Sequence, residues 1–246
     1  MKKFLILYLV IIVAASVSCK KKTNDEILNE EFKLAQNAAV NTEIKNLKES
    51  LLNAKDDSER AKIHTSIAAI ESEKGDSLSS IKSSQEAIKF KPNDYMSHYL
   101  LGKAYIESGR INDAITELQT AIELNAKHAL SHFELGNAYY KKKQNAQAAA
   151  EYSLAISLDN NLFMAHNNLA VIYSSMGRAA EAEMELKTVI LLKPDFATAY
   201  KNLGILYDTK LGRKQEAAAN YKKYLEMMPN APDRKYVKTW ISVIGG

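Results

Sequence analysis

The stretch AHNNLAVIYSSMGRAAEAEMELKTVILLKPD, residues 165–195, decides the fold of this chain. Its apolar residues recur at the spacing of an amphipathic helical hairpin. The same residue types return at fixed intervals before and after it. The stretch is therefore one copy of a repeated unit, and the chain is predicted to be an array of such units.

The period of the repeat is 34 residues, and it holds at several positions of the unit. These positions are Leu101, Leu135, Leu169 and Leu203; Gly102, Gly136, Ala170 and Gly204; Tyr105, Tyr139, Tyr173 and Tyr207; and Ala114, Ala148 and Ala182. Ala217 comes one residue late, because the turn near Lys210 contains an extra residue. Five copies are predicted, at residues 61–94, 95–128, 129–162, 163–196 and 197–231.

The period and these residues resemble the tetratricopeptide repeat, a helix–turn–helix unit of 34 residues. The resemblance covers residues 61–231. It implies an all-α fold, a right-handed superhelical solenoid in which each unit packs on its neighbours. The chain departs from the family where the first helix usually has tryptophan, with His64, His98, His132, His166 and Tyr200 at that position.

The repeated glycine indicates close packing within each unit. Gly102 falls inside a predicted helix, where glycine costs ~1 kcal/mol relative to alanine. We expect it to admit the backbone of the second helix, whose small face Ala114 supplies. Leu101, Tyr105 and His98 form one stripe that is predicted to face the core.

Both ends of the array are predicted to be helical. Residues 25–60 contain two apolar stripes, which predict two N-terminal helices that form either a cap or a mobile arm, with the cap favoured. Residues 232–246 begin with Pro232 and Asp233, which are typical of a helix start. They predict a C-terminal capping helix in which Trp240 covers the last repeat.

The N-terminus has the three parts of an export signal: two lysines, a short apolar run and small residues. Cys19, the only cysteine of the chain, follows directly. Residues 1–18 therefore resemble a bacterial lipoprotein signal peptide, although Ser16 stands where leucine is usual. The resemblance implies acylation of Cys19, a tether at 19–24, and anchoring in the cell envelope, with Lys20 favouring the outer membrane. An ordinary signal peptide or an uncleaved anchor is the alternative.

The remaining patterns argue against an enzyme and against nucleic-acid binding. The formal net charge of +4 gives no basic surface for a nucleic acid. No motif for a nucleophile, a phosphate loop or a cofactor is present, so no catalytic residue, cofactor or small-molecule substrate is predicted. The histidines recur by repeat and cannot converge on one metal ion; His128 and His132 have a metal-like spacing but lack the glutamate of a protease motif. Glu183 is expected to face solvent on the convex side.

The face of the first helices opposite the core is predicted to bind a partner. It mixes aromatic, apolar and amide side chains, as binding surfaces do. In the family this face lines a concave groove that holds a peptide or a helix, and Asn168 and Asn202 resemble an asparagine ladder that grips a ligand's backbone. The predicted groove residues are Tyr99, Lys103, Phe133, Asn137, Tyr140, Asn167, Asn168, Val171, Lys201, Asn202 and Ile205.

The sequence therefore predicts a membrane-anchored scaffold that holds a protein or peptide partner in the groove. Two alternatives remain open. One is a structural subunit of an envelope complex that binds through its convex face or its ends; the other is a metal-dependent enzyme. A packing role for the aromatic residues between first helices is also open.

Overall fold

A computed structural model describes residues 24–245, and Cys19 and the predicted signal peptide lie outside them. The first helix, α1, spans Asn24–Leu52 as one continuous helix. The prediction of two helices was wrong here, because neither glycine nor proline interrupts the segment between the two apolar stripes. Residues 53–246 form a separate compact unit. The cap at the N-terminus stays a prediction.

The second unit consists of five helix pairs followed by one more helix. Each pair has a first and a second helix that pack together, and each second helix packs on the first helix of the next pair. The pairs are α2 (Asp57–Glu73) and α3 (Ser77–Phe90), α4 (Tyr95–Glu107) and α5 (Ile111–Leu124), α6 (Ala129–Lys141) and α7 (Asn145–Leu158), α8 (Phe163–Ser175) and α9 (Ala179–Leu192), and α10 (Ala197–Thr209) and α11 (Lys214–Met227); α12 spans Arg234–Gly245. The all-α repeat array is confirmed.

The 34-residue period of the sequence is also the period of the core. Leu101, Leu135, Leu169 and Leu203 are 2–4 % exposed, and the alanines of the second helices, from Ala114 to Ala217, are fully buried. The first helix of the first pair begins earlier than the 34-residue frame places it. It starts at Asp57 because the carboxylate of Asp56 accepts a hydrogen bond of 2.8 Å from the backbone N–H of Glu59.

The glycines of the first helices make room for a large side chain rather than for a backbone alone. A Cβ atom on Gly136 would lie 2.7 Å from the ring of Tyr152, and one on Gly204 would lie 2.6 Å from the ring of Tyr221. At Gly102 the obstacle is Leu118, with the carbonyl oxygen of Ala114 at 3.2 Å. The predicted approach of the two backbones is therefore secondary, and the second helix inserts a side chain across the glycine.

The last helix covers the end of the array as predicted, through one face. Val237 is fully buried, and the ring of Trp240 lies 5.4 Å from that of Tyr221 while remaining 37 % exposed. Tyr236 and Val243 point to solvent. Within residues 24–245, no helix has the length and apolar character that a membrane span requires.

Candidate partner-binding face

The predicted groove residues all lie on α4, α6, α8 and α10, the first helices of four successive pairs. We call this surface the first-helix face. Tyr140 is 47 % exposed. The others with partly exposed side chains are Lys103, Asn137, Asn168, Val171, Lys201, Asn202 and Ile205. These eight residues form the part of the predicted site that a partner can reach.

Three predicted groove residues are buried, which limits what they offer to a ligand. Tyr99 is 8 % exposed, because its ring packs edge-on against His128 at 4.9 Å. Phe133 is 7 % exposed and packs on Tyr152 at 5.8 Å. Asn167 is also 8 % exposed. Both rings are therefore engaged in packing, but not as the alternative had it: Phe133 contacts the second helix of its own pair, and Tyr99 contacts the turn before the next first helix.

Four asparagines and one glutamate form a continuous chain of hydrogen bonds across α6, α8 and α10, which we call the amide chain. Asn202 Nδ2 donates to Asn167 Oδ1 at 2.9 Å, and Asn167 Nδ2 donates to Asn168 Oδ1 at 3.2 Å. Asn168 Nδ2 donates to Asn137 Oδ1 at 3.0 Å. Asn137 Nδ2 ends the chain by donating to Glu134 Oε2 at 2.9 Å. All these bonds run in one direction.

The amide chain corrects the prediction of an asparagine ladder. Asn168 donates to Asn137, lies within 3.4 Å of the hydroxyl of Tyr152, and accepts from Asn167. Because its donor and its acceptor are both engaged, Asn168 ties α6 to α8 and has little left for a ligand. The oxygen of Asn202 has no donor in the part of the chain that the structure describes, so Asn202 keeps the predicted capacity to accept a ligand's N–H.

Tyr152 connects the core to the amide chain. It lies on the second helix α7, and its ring crosses the space that Gly136 leaves open on α6. Its hydroxyl then donates to Asn137 Oδ1 at 2.6 Å. Burial raises the pKa of this tyrosine, so the hydroxyl stays protonated and acts as a donor. The packing at Gly136 therefore fixes the orientation of an amide on the first-helix face.

Glu134 is the only acidic member of the amide chain. Its side chain is half-buried, and burial raises the pKa of the carboxyl even though the hydrogen bond from Asn137 works in the opposite direction. Lys103 favours the charged form and Glu107 opposes it. Its negative charge also helps to raise the pKa of Tyr99 and of Tyr152, after burial, which is the main cause for both.

A small cleft lies between α8 and α10. Its volume is about 160 Å³. Its lining is apolar apart from a hydroxyl and an amide, and consists of Ala170, Val171, Ser174, Leu186, Asn202, Ile205 and Leu206. Three of these residues, Val171, Asn202 and Ile205, belong to the predicted groove. The cleft is suited to one apolar side chain, with the Asn202 amide beside it.

Two lysine–aspartate ion pairs lie at the C-terminal end of the first-helix face. Lys201 Nζ lies 3.0 Å from Asp233 Oδ2, and Lys214 Nζ lies 2.7 Å from Asp208 Oδ1. Lys201, a predicted groove residue, is thus engaged with the segment that begins α12. Its charge is neutralised within the chain, and its role is to join the last repeat to the terminal helix.

Three of the repeated histidines pair with a glutamate that was not predicted, whereas His64 stacks on the ring of Phe90. The imidazole Nδ1 of His98 lies 2.7 Å from Glu117, and that of His132 lies 2.7 Å from Glu151; His166 pairs with Glu185 in the same way. These glutamates follow their histidines by 19 residues and are 34 residues apart. The sequence carried this signal, since the fifth pair, where Tyr200 replaces the histidine, has Asn220 and not glutamate at the matching place, one residue late because of the longer turn.

No group of histidine, cysteine, aspartate and glutamate residues within 24–245 is arranged to hold a metal ion. His128 and His132, which have a metal-like spacing, face different partners. His128 contacts Ser131 and the rings of Tyr95 and Tyr99, whereas His132 bonds Glu151.

Glu183 does not face solvent freely as expected. It accepts hydrogen bonds from Arg213 and from the Tyr207 hydroxyl, each at 3.0 Å, and pairs with Lys187. It therefore links the fourth pair of helices to the fifth. A substitution of Glu183 would therefore disturb the packing between these two pairs.

Two family models match the chain. One, described as TPR repeat, matches residues 102–143 and 136–177, and the other, described as tetratricopeptide repeat, matches residues 167–233. No curated protein matches the chain.

Several solved structures are similar to it. A crystal structure of MamA protein is 30 % identical, covers 72 % of this chain and 96 % of its own, and has a TM-score of 0.60. YrrB, described as a TPR protein with an unusual peptide-binding site, is 18 % identical over 78 % of this chain and 97 % of its own, with a TM-score of 0.62. A fragment of MamA from Desulfovibrio magneticus RS-1 is 19 % identical over 70 % of this chain and 97 % of its own, with a TM-score of 0.62. The last two show the fold alone.

Proposed function

This chain belongs to the tetratricopeptide repeat family, and we propose that it is a non-enzymatic scaffold that binds a protein or peptide partner on the first-helix face. The observation that carries the proposal is the pairing of the apolar cleft between α8 and α10 with the amide of Asn202 at its edge. An apolar recess with few polar groups is typical of a binding site. YrrB, whose fold is similar, is described as having a peptide-binding site, which supports a peptide as the kind of partner.

We further propose that the chain is attached to the cell envelope through acylated Cys19, with residues 19–24 as a tether and the outer membrane as the favoured site. The support is the sequence SVSCK at residues 16–20, which follows an apolar run and places the single cysteine at its end. Multiple acyl chains give stable anchoring where one chain is marginal. Intact-mass spectrometry of the mature protein tests this: an acylated N-terminal Cys19 supports it, and an unmodified Cys19 or cleavage elsewhere contradicts it.

A second candidate is a structural subunit of an envelope complex. It is favoured by apolar side chains that remain exposed away from the first-helix face. Met184 and Leu191 on α9 are 63 % and 80 % exposed, and Val243 on α12 is 74 % exposed. A partner that covers the second helices or the terminal helix would bury them.

Site-specific photo-crosslinking in the native envelope distinguishes the two candidates. The photoreactive residue replaces Tyr140 on the first-helix face or Leu154 on the second helix α7, which are 47 % and 46 % exposed and so form a matched pair. Crosslinks to a partner that form from position 140 and not from position 154 support binding on the first-helix face. Crosslinks confined to 154 would reject it in favour of the structural subunit.

A further inference from the structure

The amide chain presents hydrogen-bond acceptors at both of its ends. Within it, the oxygens of Asn137, Asn168 and Asn167 each accept a bond from a donor of the chain itself. One end is the Glu134 carboxylate, and the other is Asn202 Oδ1, which has no donor within the described residues. A ligand that bonds both ends must therefore bring donors to both.

The environment of Glu134 favours a cationic donor. On the same face Asp208 and Asp233 are paired with lysines, whereas no cation of residues 24–245 forms an ion pair with Glu134; Lys103 and Glu107 act on its carboxyl electrostatically, with opposite signs. The carboxylate is half-buried. A lysine or arginine of a partner would gain a charge-assisted hydrogen bond there.

The other end of the amide chain favours an aliphatic residue. Asn202 lines the 160 Å³ cleft together with Val171 and Ile205. An apolar cavity of about 150 Å³ is large enough to hold benzene, so this cleft holds one side chain of the size of leucine, isoleucine or methionine. The Asn202 oxygen at its edge is available to accept the backbone N–H of the residue that enters it.

We propose that the partner is an extended peptide segment with a basic side chain at Glu134 and an aliphatic side chain in the cleft between α8 and α10. Packed helices lie about 10 Å apart and an extended chain advances about 3.3 Å per residue. Because Glu134 is on α6 and the cleft lies between α8 and α10, about one and a half helix spacings away, the basic and aliphatic residues are separated by about four residues. The inference rests on the proposed function, and it assigns the chemistry of the partner. Acidic segments are excluded by the same carboxylate.

The test uses a phage-displayed library of random dodecapeptides selected on the protein as purified from its native host in detergent. The enriched sequences are expected to share one Lys or Arg and one Leu, Ile or Met about four positions apart. A peptide of this consensus is then synthesised and titrated against the parent protein and its variants by calorimetry.

Two variants probe the two ends separately. Glu134→Gln keeps an oxygen for Asn137 but removes the charge, and we expect it to weaken the consensus peptide about tenfold. Glu123→Gln, the same change at an exposed position of the second helix α5, is the matched control and leaves affinity unchanged. Ser174→Leu fills the cleft and is expected to weaken the affinity for the consensus peptide about tenfold. It should not weaken the affinity for a peptide in which alanine replaces the large aliphatic residue.

The outcomes separate this inference from the function on which it rests. If no peptide is enriched, or if enriched peptides bind a protein with Tyr140 changed to a bulky charged residue as tightly as the parent, binding on the first-helix face is rejected. If peptides bind there without the basic and aliphatic residues, or with full affinity for Glu134→Gln and Ser174→Leu, only the assigned chemistry is rejected. Unchanged circular dichroism of each variant shows that the fold is intact.

Discussion

The imidazole of His98 and the carboxylate of Glu117 form a hydrogen bond of 2.7 Å between Nδ1 and Oε2, while the other ring nitrogen lies 2.8 Å from the carbonyl oxygen of Pro92. Both ring nitrogens therefore face acceptors, and only the doubly protonated imidazolium satisfies both. The bond to Glu117 raises the pKa of His98. Burial is the largest single influence on His166 and works against its charged form, but the hydrogen bonds to Glu185 and to the carbonyl oxygen of Asn160, together with the negative charge of Glu185, raise that pKa as well.

These raised pKa values predict how the histidine–glutamate pairs depend on pH. A group whose pKa is higher in the folded state stabilises the fold fully below its unfolded pKa of ~6.5 and loses this contribution as pH rises through the folded value. Glu117→Gln should therefore lower the free energy of unfolding more at about pH 5.5 than at about pH 8.5. Chemical denaturation at both pH values measures it, and equal losses would contradict it.

The matched control is the fifth pair of helices, where Tyr200 replaces the histidine and donates to Pro194 at 3.2 Å. Tyr200→Phe should lower the free energy of unfolding by the same amount at both pH values, because it removes no histidine–glutamate bond. The comparison is made between variant and parent, since burial lowers the pKa of His64 and of His128 and these two histidines contribute a pH dependence of opposite sign.

A second prediction concerns the contact between Gly136 and Tyr152. Gly136→Ala places a Cβ atom 2.7 Å from the ring, so α6 and α7 must move apart. We expect the free energy of unfolding to fall by about 1–3 kcal/mol, as in other overpacked cores. The fourth pair of helices combines Ala170 with Leu186 at the equivalent positions. Tyr152→Leu should accordingly be less harmful in the Gly136→Ala background than in the parent. Urea unfolding of the four proteins measures this coupling, and additive losses would refute the contact.

The sequence predicted the repeat and its core because a period of 34 residues leaves a direct signal in residue type, as in Leu101 and Leu135. It missed the large side chain that crosses each glycine. Tyr152 and Leu118 differ in type although they occupy equivalent positions, so the pattern did not single them out. The amide chain was also missed, because the orientation of Asn167 and Asn168 depends on bonds from other helices. Burial of Tyr99 similarly depends on His128, which belongs to the turn before the next helix.

A third prediction concerns the turn at Lys143. Its φ of 60° lies in the left-handed region, where the turns of the other pairs have Gly75, Gly109, Gly177 and Gly212. A residue with a side chain costs about 1 kcal/mol in this conformation, so Lys143→Gly should stabilise the protein by about that amount. Gly177→Ala is the converse change and should destabilise it similarly, since no atom lies within 4 Å of the added Cβ and only backbone strain is at issue. Shifts of the same sign in thermal unfolding would show that the turns are not equivalent.

The last prediction concerns the terminal helix. Val237 of α12 is fully buried against the last repeat, near Tyr221 and Tyr224, whereas Val243 on the same helix is 74 % exposed. Val237→Ala removes apolar contacts and should lower the free energy of unfolding by about 1.5 kcal/mol, while Val243→Ala should change it by less than about 0.5 kcal/mol. Deletion from Pro232 onward should uncover both tyrosines and cause association, measured by light scattering. Association is expected because an uncapped repeat leaves its core face open to a second copy. A truncated protein that stays monomeric and unfolds like the parent would show that α12 does not cover the end of the array.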